Sequence, residues 1–145
     1  MNPIIREATL ADCEAIRRLN VQLGYDYPVD ATARHLASVL HKPYVKIYVA
    51  EDEREIVGYI HATDNECTYV DDMKEVLALV VDEQSRVRGV GRALLRAAEN
   101  WAKENGAKGI HLNSGVDRTG AHQFYRACGY TNLKDHKTFI KRFEG

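Results

Sequence analysis

Leu79-Val80-Val81-Asp82-Glu83-Gln84-Ser85-Arg86-Val87-Arg88-Gly89-Val90-Gly91-Arg92 passes directly into Ala93-Leu94-Leu95-Arg96-Ala97-Ala98. The run Glu75 to Asp82 is almost continuously apolar, as a strand buried on both faces would be. Val90, Leu94, Ala97, Ala98 and Trp101 then recur on one helical stripe, and Gly106 is placed to close that helix. Between strand and helix stand Gly89 and Gly91, surrounded by Arg86, Arg88 and Arg92. The first N–H groups of a helix have no intrahelical partner, and the helix dipole adds partial positive charge there. Glycine lets an anion come close to the backbone, and guanidinium forks match phosphate oxygens. The succession predicts a pyrophosphate cradle. The plainer alternative is a tight strand-to-helix turn whose arginines face solvent.

Two common phosphate loops do not fit. A P-loop requires Gly-x-x-x-x-Gly-Lys-Ser/Thr, which is absent from the chain. The dinucleotide fingerprint Gly-x-Gly-x-x-Gly fails because position 94 is Leu.

Working outward, Pro3 to Glu7 reads as a short strand. Thr9 with Asp12 resembles a capping box, and Ile16, Leu19 and Leu23 set a helix near residues 10–23 that stops at Gly24. Asp30 is the expected cap of a second helix, with Leu36, Val39 and Leu40 inward, and Lys42-Pro43 ends it. Tyr44 to Ala50 and Ile56 to Ala62 form a hairpin about the polar turn Asp52 to Glu55. After the 79–98 unit come a strand at Lys108 to Asn113, a helix starting at Asp117 or Thr119 and carrying Ala121, Phe124, Tyr125 and Cys128, and a final strand at Thr138 to Phe143. These elements make a mixed α/β pattern.

The chain has 145 residues, 45% hydrophobic and 28% charged, which fits a single domain spanning 1–145. Lys plus Arg number 20 against 21 Asp plus Glu, a net charge of -1. That balance speaks against a dedicated nucleic-acid binder and against intrinsic disorder. Cys13, Cys67 and Cys128 lie too far apart for a Cys-x-x-Cys metal site, and an odd, sparse count is unlike a secreted disulfide framework. The histidines show no metal-binding spacing, so no metal is assigned. No stretch approaches the roughly 20 apolar residues of a membrane span, and no signal peptide is evident. The expected location is cytoplasmic, without membrane or nucleic-acid partners.

Arg86-x-x-Gly89-x-Gly91, after the strand ending Leu79-Val80-Val81, resembles the Gln/Arg-x-x-Gly-x-Gly/Ala signature of the GNAT acetyltransferases. Arg118-x-x-Ala121-His122-Gln123-Phe124-Tyr125-x-x-x-Gly129-Tyr130 is similar to that family's second motif, in order and at its spacing. The resemblance covers essentially the whole chain. It implies a central, mixed, mostly antiparallel sheet of about 6–7 strands with about four helices, the strands at 75–82 and 108–114 splaying apart. It also implies transfer of an acetyl group from acetyl-CoA to an amine. The loop amides Arg86, Val87, Arg88, Gly89, Val90, Gly91 and Arg92 would hold the CoA pyrophosphate. The backbone of Leu79, Val80 and Val81 would bond the pantetheine arm, and Asn113, with Ser114, would border the site. Many members carry Asn where Arg118 stands, so no cofactor contact is assigned at 118.

An alkyl amine with a pKa of about 10.4 is mostly protonated at neutral pH, so a base or a water chain must unload it. The tetrahedral oxyanion would meet backbone amides such as that of Val80 or Val81. Tyr125 occupies the motif's tyrosine position and is the candidate acid for the departing thiolate. Glu75 lies fourteen residues before Gly89, the spacing of the catalytic glutamate in histone-modifying members, and is the candidate base. A solvated glutamate at a strand start is the competing reading, with Glu66, Asp71 and Asp72 as other carboxylates. His122 reads as structural, and Cys128 as a small buried apolar residue.

Gly24-Tyr25-Asp26-Tyr27-Pro28-Val29-Asp30 is aromatic and acidic, a composition suited to a cation. The Arg-x-x-Ala-His-x-Phe-Tyr variant and the short chain resemble the aminoalkylphosphonate and aminoglycoside branch, so a small-molecule amine is the expected acceptor. A protein lysine, an N-terminal amine, or a non-catalytic module that binds CoA are the alternatives. A homodimer is compatible with the family, and nothing in the sequence gives its interface.

Overall fold

The computed structural model describes residues 3–85 and 87–143. They fall into two compact units, Met1–Asn113 and Ser114–Gly145.

The first unit is a five-stranded sheet with helices on both faces. Its strands are β1 (Ile4–Glu7), β2 (Val45–Asp52), β3 (Glu55–Asn65), β4 (Met73–Val81) and β5 (Gly109–Leu112), adjacent in that same order. The first four run antiparallel, and β5 lies parallel to β4. Helices α1 (Cys13–Leu23) and α2 (Val29–Leu40) precede β2, and α3 (Val90–Glu104) makes the crossover from β4 to β5. A parallel neighbour requires such a crossover, because a tight turn can only reverse the chain.

One core lies between the sheet and α1 and α2, where Ile16, Leu19 and Leu36 meet Ile47, Val49, Tyr59 and Val80. The amphipathic stripe of α3 buries Val90, Leu94, Leu95, Ala98, Trp101 and Ala102. It packs across β2, β3 and β4. Gly58 makes that approach close: a Cβ there would stand 2.9 Å from the Val80 carbonyl oxygen, 3.0 Å from Val90 and 3.1 Å from Leu94. Lys74, buried on β4, bonds Asp64 and lies 4.8 Å from the Trp101 ring centroid.

Thr9 and Asp12 begin the first helix through a short 3₁₀ turn, Leu10–Asp12, as their spacing predicts. The buried Asp12 carboxylate accepts the Thr9 backbone N–H at 2.8 Å and both terminal nitrogens of Arg6 at 2.9 Å. Arg6 Nε also bonds Glu51 at 3.0 Å, so one guanidinium joins β1, β2 and the start of α1. The second helix differs from expectation at its start. Pro28 is the N-cap, and Asp30 is the second residue of the helix, 3.6 Å from Arg34. Proline suits a helix start because the missing N–H is one that would go unpaired there.

Register shifts between His61 and Ala62: Ala78 faces His61 and Val76 faces Ala62, leaving Leu77 with no opposite residue on β3. The bulged Leu77 is exposed.

The second unit carries α4 (Thr119–Ala127), close to where the motif spacing puts it. The final strand expected at Thr138–Phe143 does not form, so among the described residues the sheet has five strands against the 6–7 anticipated. Leu133, Phe139, Ile140 and Phe143 are all exposed. Alternation records which side chains a strand would bury; the strand itself needs an edge to supply its hydrogen bonds. Residues 131–143 join no ladder among the described residues. Among the described residues no helix is long and apolar enough to cross a membrane.

Candidate active site

The candidate phosphate loop opens on Asp82, just past β4. Its carboxylate accepts the Gln84 backbone N–H at 2.9 Å, Arg18 Nη1 at 2.7 Å and Gln22 Nε2 at 3.1 Å. The Gln84 N–H contributes most to holding its pKa below the usual carboxylate range, with Gln22 and Arg18 adding to it against desolvation. Arg18 also donates to the Ile56 carbonyl at 2.9 Å. The loop is therefore pinned to α1 and to β3 before the glycines begin. The Val87 N–H turns back to Ser85 Oγ at 3.2 Å.

Gly89 is the N-cap of α3 with φ 77°, in the left-handed region that side chains disfavour. A Cβ at 89 would meet nothing within 4 Å, so the loop is open on that side. No side chain caps α3, and no acidic residue stands in its first turn. Arg88 and Arg92 are exposed, Val87 and Gly91 are half-buried, and Val90 anchors the turn in the core. Arg86 lies outside the described residues. Uncapped N–H groups, an unfilled glycine cradle and two exposed guanidinium groups fit a diphosphate ester.

The same loop continues back into an open strand edge. Leu79, Val80 and Val81 pair with Ile60, Tyr59 and Gly58 on β3. The ladder between β4 and β5 covers only Met73 to Val76 against Gly109 to Leu112. Beyond Val76, β4 has no second strand beside it among the described residues, so main-chain groups of Leu77 to Val81 face outward on that edge. An extended, amide-bearing chain such as pantetheine can pair there as a strand would. Asn113, exposed, follows the end of β5; Ser114 Oγ is buried without a hydrogen-bond partner among the described residues.

Glu75 lies at the other end of β4, half-buried, opposite Thr63 on β3 and His111 on β5. The structure brings Leu79–Val81 and Val87–Arg92 into one continuous segment and sets Glu75 apart from them along the strand. Tyr125 belongs to α4 in the second unit. Its ring stands edge-on to Phe124 at 5.3 Å and 6.0 Å from Tyr130. Burial pushes its hydroxyl pKa up, with Arg118 opposing, so it keeps its proton at neutral pH and can donate it. His122 Nε2 bonds the Gly115 carbonyl at 2.8 Å, bracing the turn that leads into α4. Cys128 is half-buried, more open than its apolar reading implies; Cys13 is the buried cysteine.

A cavity of about 530 Å³ opens between the connection from α1 to α2 and strands β3 and β4. Tyr25, Asp26 and Tyr27 stand on one side, and Tyr59, His61 and the bulged Leu77 on the other. Arg17 holds Asp26 at 2.5 Å, and Tyr27 Oη pairs with His35 at 3.1 Å. Tyr59 donates its hydroxyl to Asn20, and burial pushes its pKa up to about 12. The aromatic–acidic segment is legible in the sequence, whereas Tyr59 and His61 belong to no motif in it. Their signal is the period of two in β3, which puts Tyr59, His61 and Thr63 on one face.

Residues 11–130 match the family model described as the acetyltransferase (GNAT) family. The chain is 31% identical to aminoglycoside N(6')-acetyltransferase type 1 of Stenotrophomonas maltophilia, over 88% of this chain and 86% of that protein. It is 30% identical to the N-alpha-acetyltransferase of Sulfurisphaera tokodaii, over 90% of this chain and 81% of that one. The solved structure of aminoglycoside N-acetyltransferase AAC(6')-Iy in complex with CoA shares the fold, with a TM-score of 0.86 at 20% identity, covering 97% of this chain and 95% of that one. The strand–loop–helix cradle, the mixed sheet and these matches place the chain in the acetyltransferase (GNAT) family, as an acetyl-CoA-dependent N-acetyltransferase.

Proposed function

We propose that residues 1–145 act as one catalytic domain that acetylates a primary amine on a small, cationic molecule by direct transfer. The observation that carries this reading is the adjacency of two features on β4. The unpaired edge runs from Leu77 into the open Gly89 cradle, and the aromatic–acidic cavity closes on Leu77 and Ala78. One accommodates an extended polyanion, the other a cation. Likeness to an aminoglycoside acetyltransferase supports a small polyamine as acceptor.

Bound acetyl-CoA supplies an activated thioester. Val87 to Arg92, with Arg86, hold the diphosphate through loop amides and guanidinium groups, and the backbone of Leu79 to Val81 aligns the arm. A main-chain N–H at Val80 or Val81 stabilises developing negative charge on the acyl oxygen. Tyr125 gives its proton to the sulfur. Glu75, directly or through water, drains the proton released by the amine.

An amine panel tests this reading: aminoglycosides, aliphatic diamines, aminoalkylphosphonates, and peptides with free N-termini or lysines, with CoA thiol release as the signal. Turnover confined to small amines is the expected result. Turnover on peptide N-termini alone would favour the second reading, which likeness to the N-alpha-acetyltransferase supports. Tight acetyl-CoA binding with no turnover on any amine would make the chain a CoA-binding module.

A further inference from the structure

We propose that His61 is the group that takes the proton from the acceptor's ammonium, with Glu75 standing behind it on the same sheet face to balance the imidazolium. This rests on the amine-acetyltransferase reading above and adds to it the first proton acceptor.

The cavity leaves little choice. Its titratable lining groups are Tyr25, Asp26, Tyr27, Tyr59 and His61. Asp26 is paired with Arg17 and points largely to solvent. Tyr59 is committed as a donor to Asn20, and the Tyr27 hydroxyl is paired with His35 Nε2. A phenol with a pKa of about 12 is no base at neutral pH. Glu75, the carboxylate singled out by spacing, does not line the cavity. His61 does, and it stands opposite Ala78, beside the bulge that turns Leu77 outward. That point is where β4 loses β5 as a partner and its edge opens. The cavity's cation and an arm laid along the edge would meet there.

Burial lowers the His61 pKa from its ordinary value, so the ring is neutral and carries a lone pair at neutral pH. The groups around it come from every packed element. Tyr59 and Thr63 flank it on β3, and Ile47 faces it from β2. On β4 Ala78 is opposite, and Glu75 is on the same face, opposite Thr63. His111 of β5 is in register with Glu75 and bonds Asn65. Asn20 of α1 and Tyr25, Asp26 and Tyr27 close the other side. Glu75, without a hydrogen-bond or ion-pair partner among the described residues, is thus the anion placed to offset a positive ring.

The ammonium R–NH3⁺ gives one proton to the imidazole and becomes R–NH2. Its lone pair forms the N–C bond, and the C–S bond breaks with its electrons on sulfur. The second proton shed by nitrogen offsets the one the thiolate takes up. The proton on His61 returns to solvent, so each turnover yields amide, thiol and one free proton.

The test uses the full chain and His61→Gln and His61→Ala variants, with acetyl-CoA affinity and melting temperature measured first to confirm folding. In the wild-type chain without substrates, NMR of the ring should give a His61 pKa below about 6.5 that moves on adding 1,4-diaminobutane. With the best acceptor of the panel, kcat/KM should fall on the acid side through that pKa. His61→Gln should lower kcat by about 10²–10⁴ and abolish that limb, leaving acetyl-CoA affinity unchanged. Added 4-methylimidazole should restore part of the rate to His61→Ala. Full activity with an unaltered acid limb in His61→Gln would overturn the role of His61 while leaving the acetyltransferase reading intact. A ring still protonated at pH 7.5 would overturn it equally. No turnover on any amine would defeat both.

Discussion

Asp12 shows how much one side chain can organise here. It is buried, yet it answers Arg6 with both oxygens and the Thr9 N–H with one. The Arg6 hydrogen bond is the main cause of a pKa below the usual carboxylate value. A carboxylate depressed in the folded state adds stability that is fully present above its unfolded pKa and is lost as pH falls through the folded one. Asp82 is depressed in the same direction. Urea melts should therefore show stability declining below about pH 4, and Asp12→Asn should cost about 1.5–3 kcal/mol at pH 7 and flatten that decline. An acid limb unchanged in Asp12→Asn would remove Asp12 as its source. Tyr125, the proposed acid, belongs to the same scale. Tyr125→Phe should lower kcat by about 10²–10⁴ with little change in acetyl-CoA affinity, read from steady-state rates and a binding titration. An unaffected kcat would exclude the hydroxyl from the reaction.

Among the elements, the hairpin of β2 and β3 contains a local conflict. Its two turn residues, Glu53 and Arg54, have φ of 48° and 71°. Both are in the left-handed region, where Asn and Gly are the usual choices for a two-residue hairpin loop. Replacing the pair by Asn-Gly should stabilise the chain by about 0.5–1.5 kcal/mol without altering kcat, measured by denaturant midpoint and steady-state rate. The hairpin itself was legible, because alternation and a polar turn are local signals. Its turn type was not, since neither residue announces a positive φ. The 79–98 unit was legible for the same reason as the hairpin. An apolar run, two glycines and a helical stripe need no distant partner to be recognised. Where an element depends on a partner, the sequence was a poorer guide. Thr138–Phe143 alternates like a strand but joins no edge. His61 carries no local signal of its role, because its surroundings come from strand register and from the bulge at Leu77, which are set by pairing across the sheet.

At the scale of the molecule, ligand binding and folding are one equilibrium. A cosubstrate that binds only the folded chain stabilises it by about 2.7 kcal/mol at a hundredfold excess over Kd, raising the melting temperature of a chain this size by about 5–10 °C. Acetyl-CoA should produce that shift and ATP should not. Gly89→Glu places a carboxylate at the open N-terminus of α3 and should erase it; an undiminished shift would remove the cradle from the binding site. The near-neutral total charge gave no hint of this site, because Arg88 and Arg92 are offset by acids elsewhere in the chain. One further property follows from the sheet, whose strands lie side by side in the order in which they occur along the chain. Synthesis delivers the amino end first. Each strand from β2 onward therefore leaves the ribosome after the edge that will receive it. No strand has to be inserted between two that have already paired. Growth by addition at a single advancing edge lets the first four strands assemble while α3 and β5 are still being made.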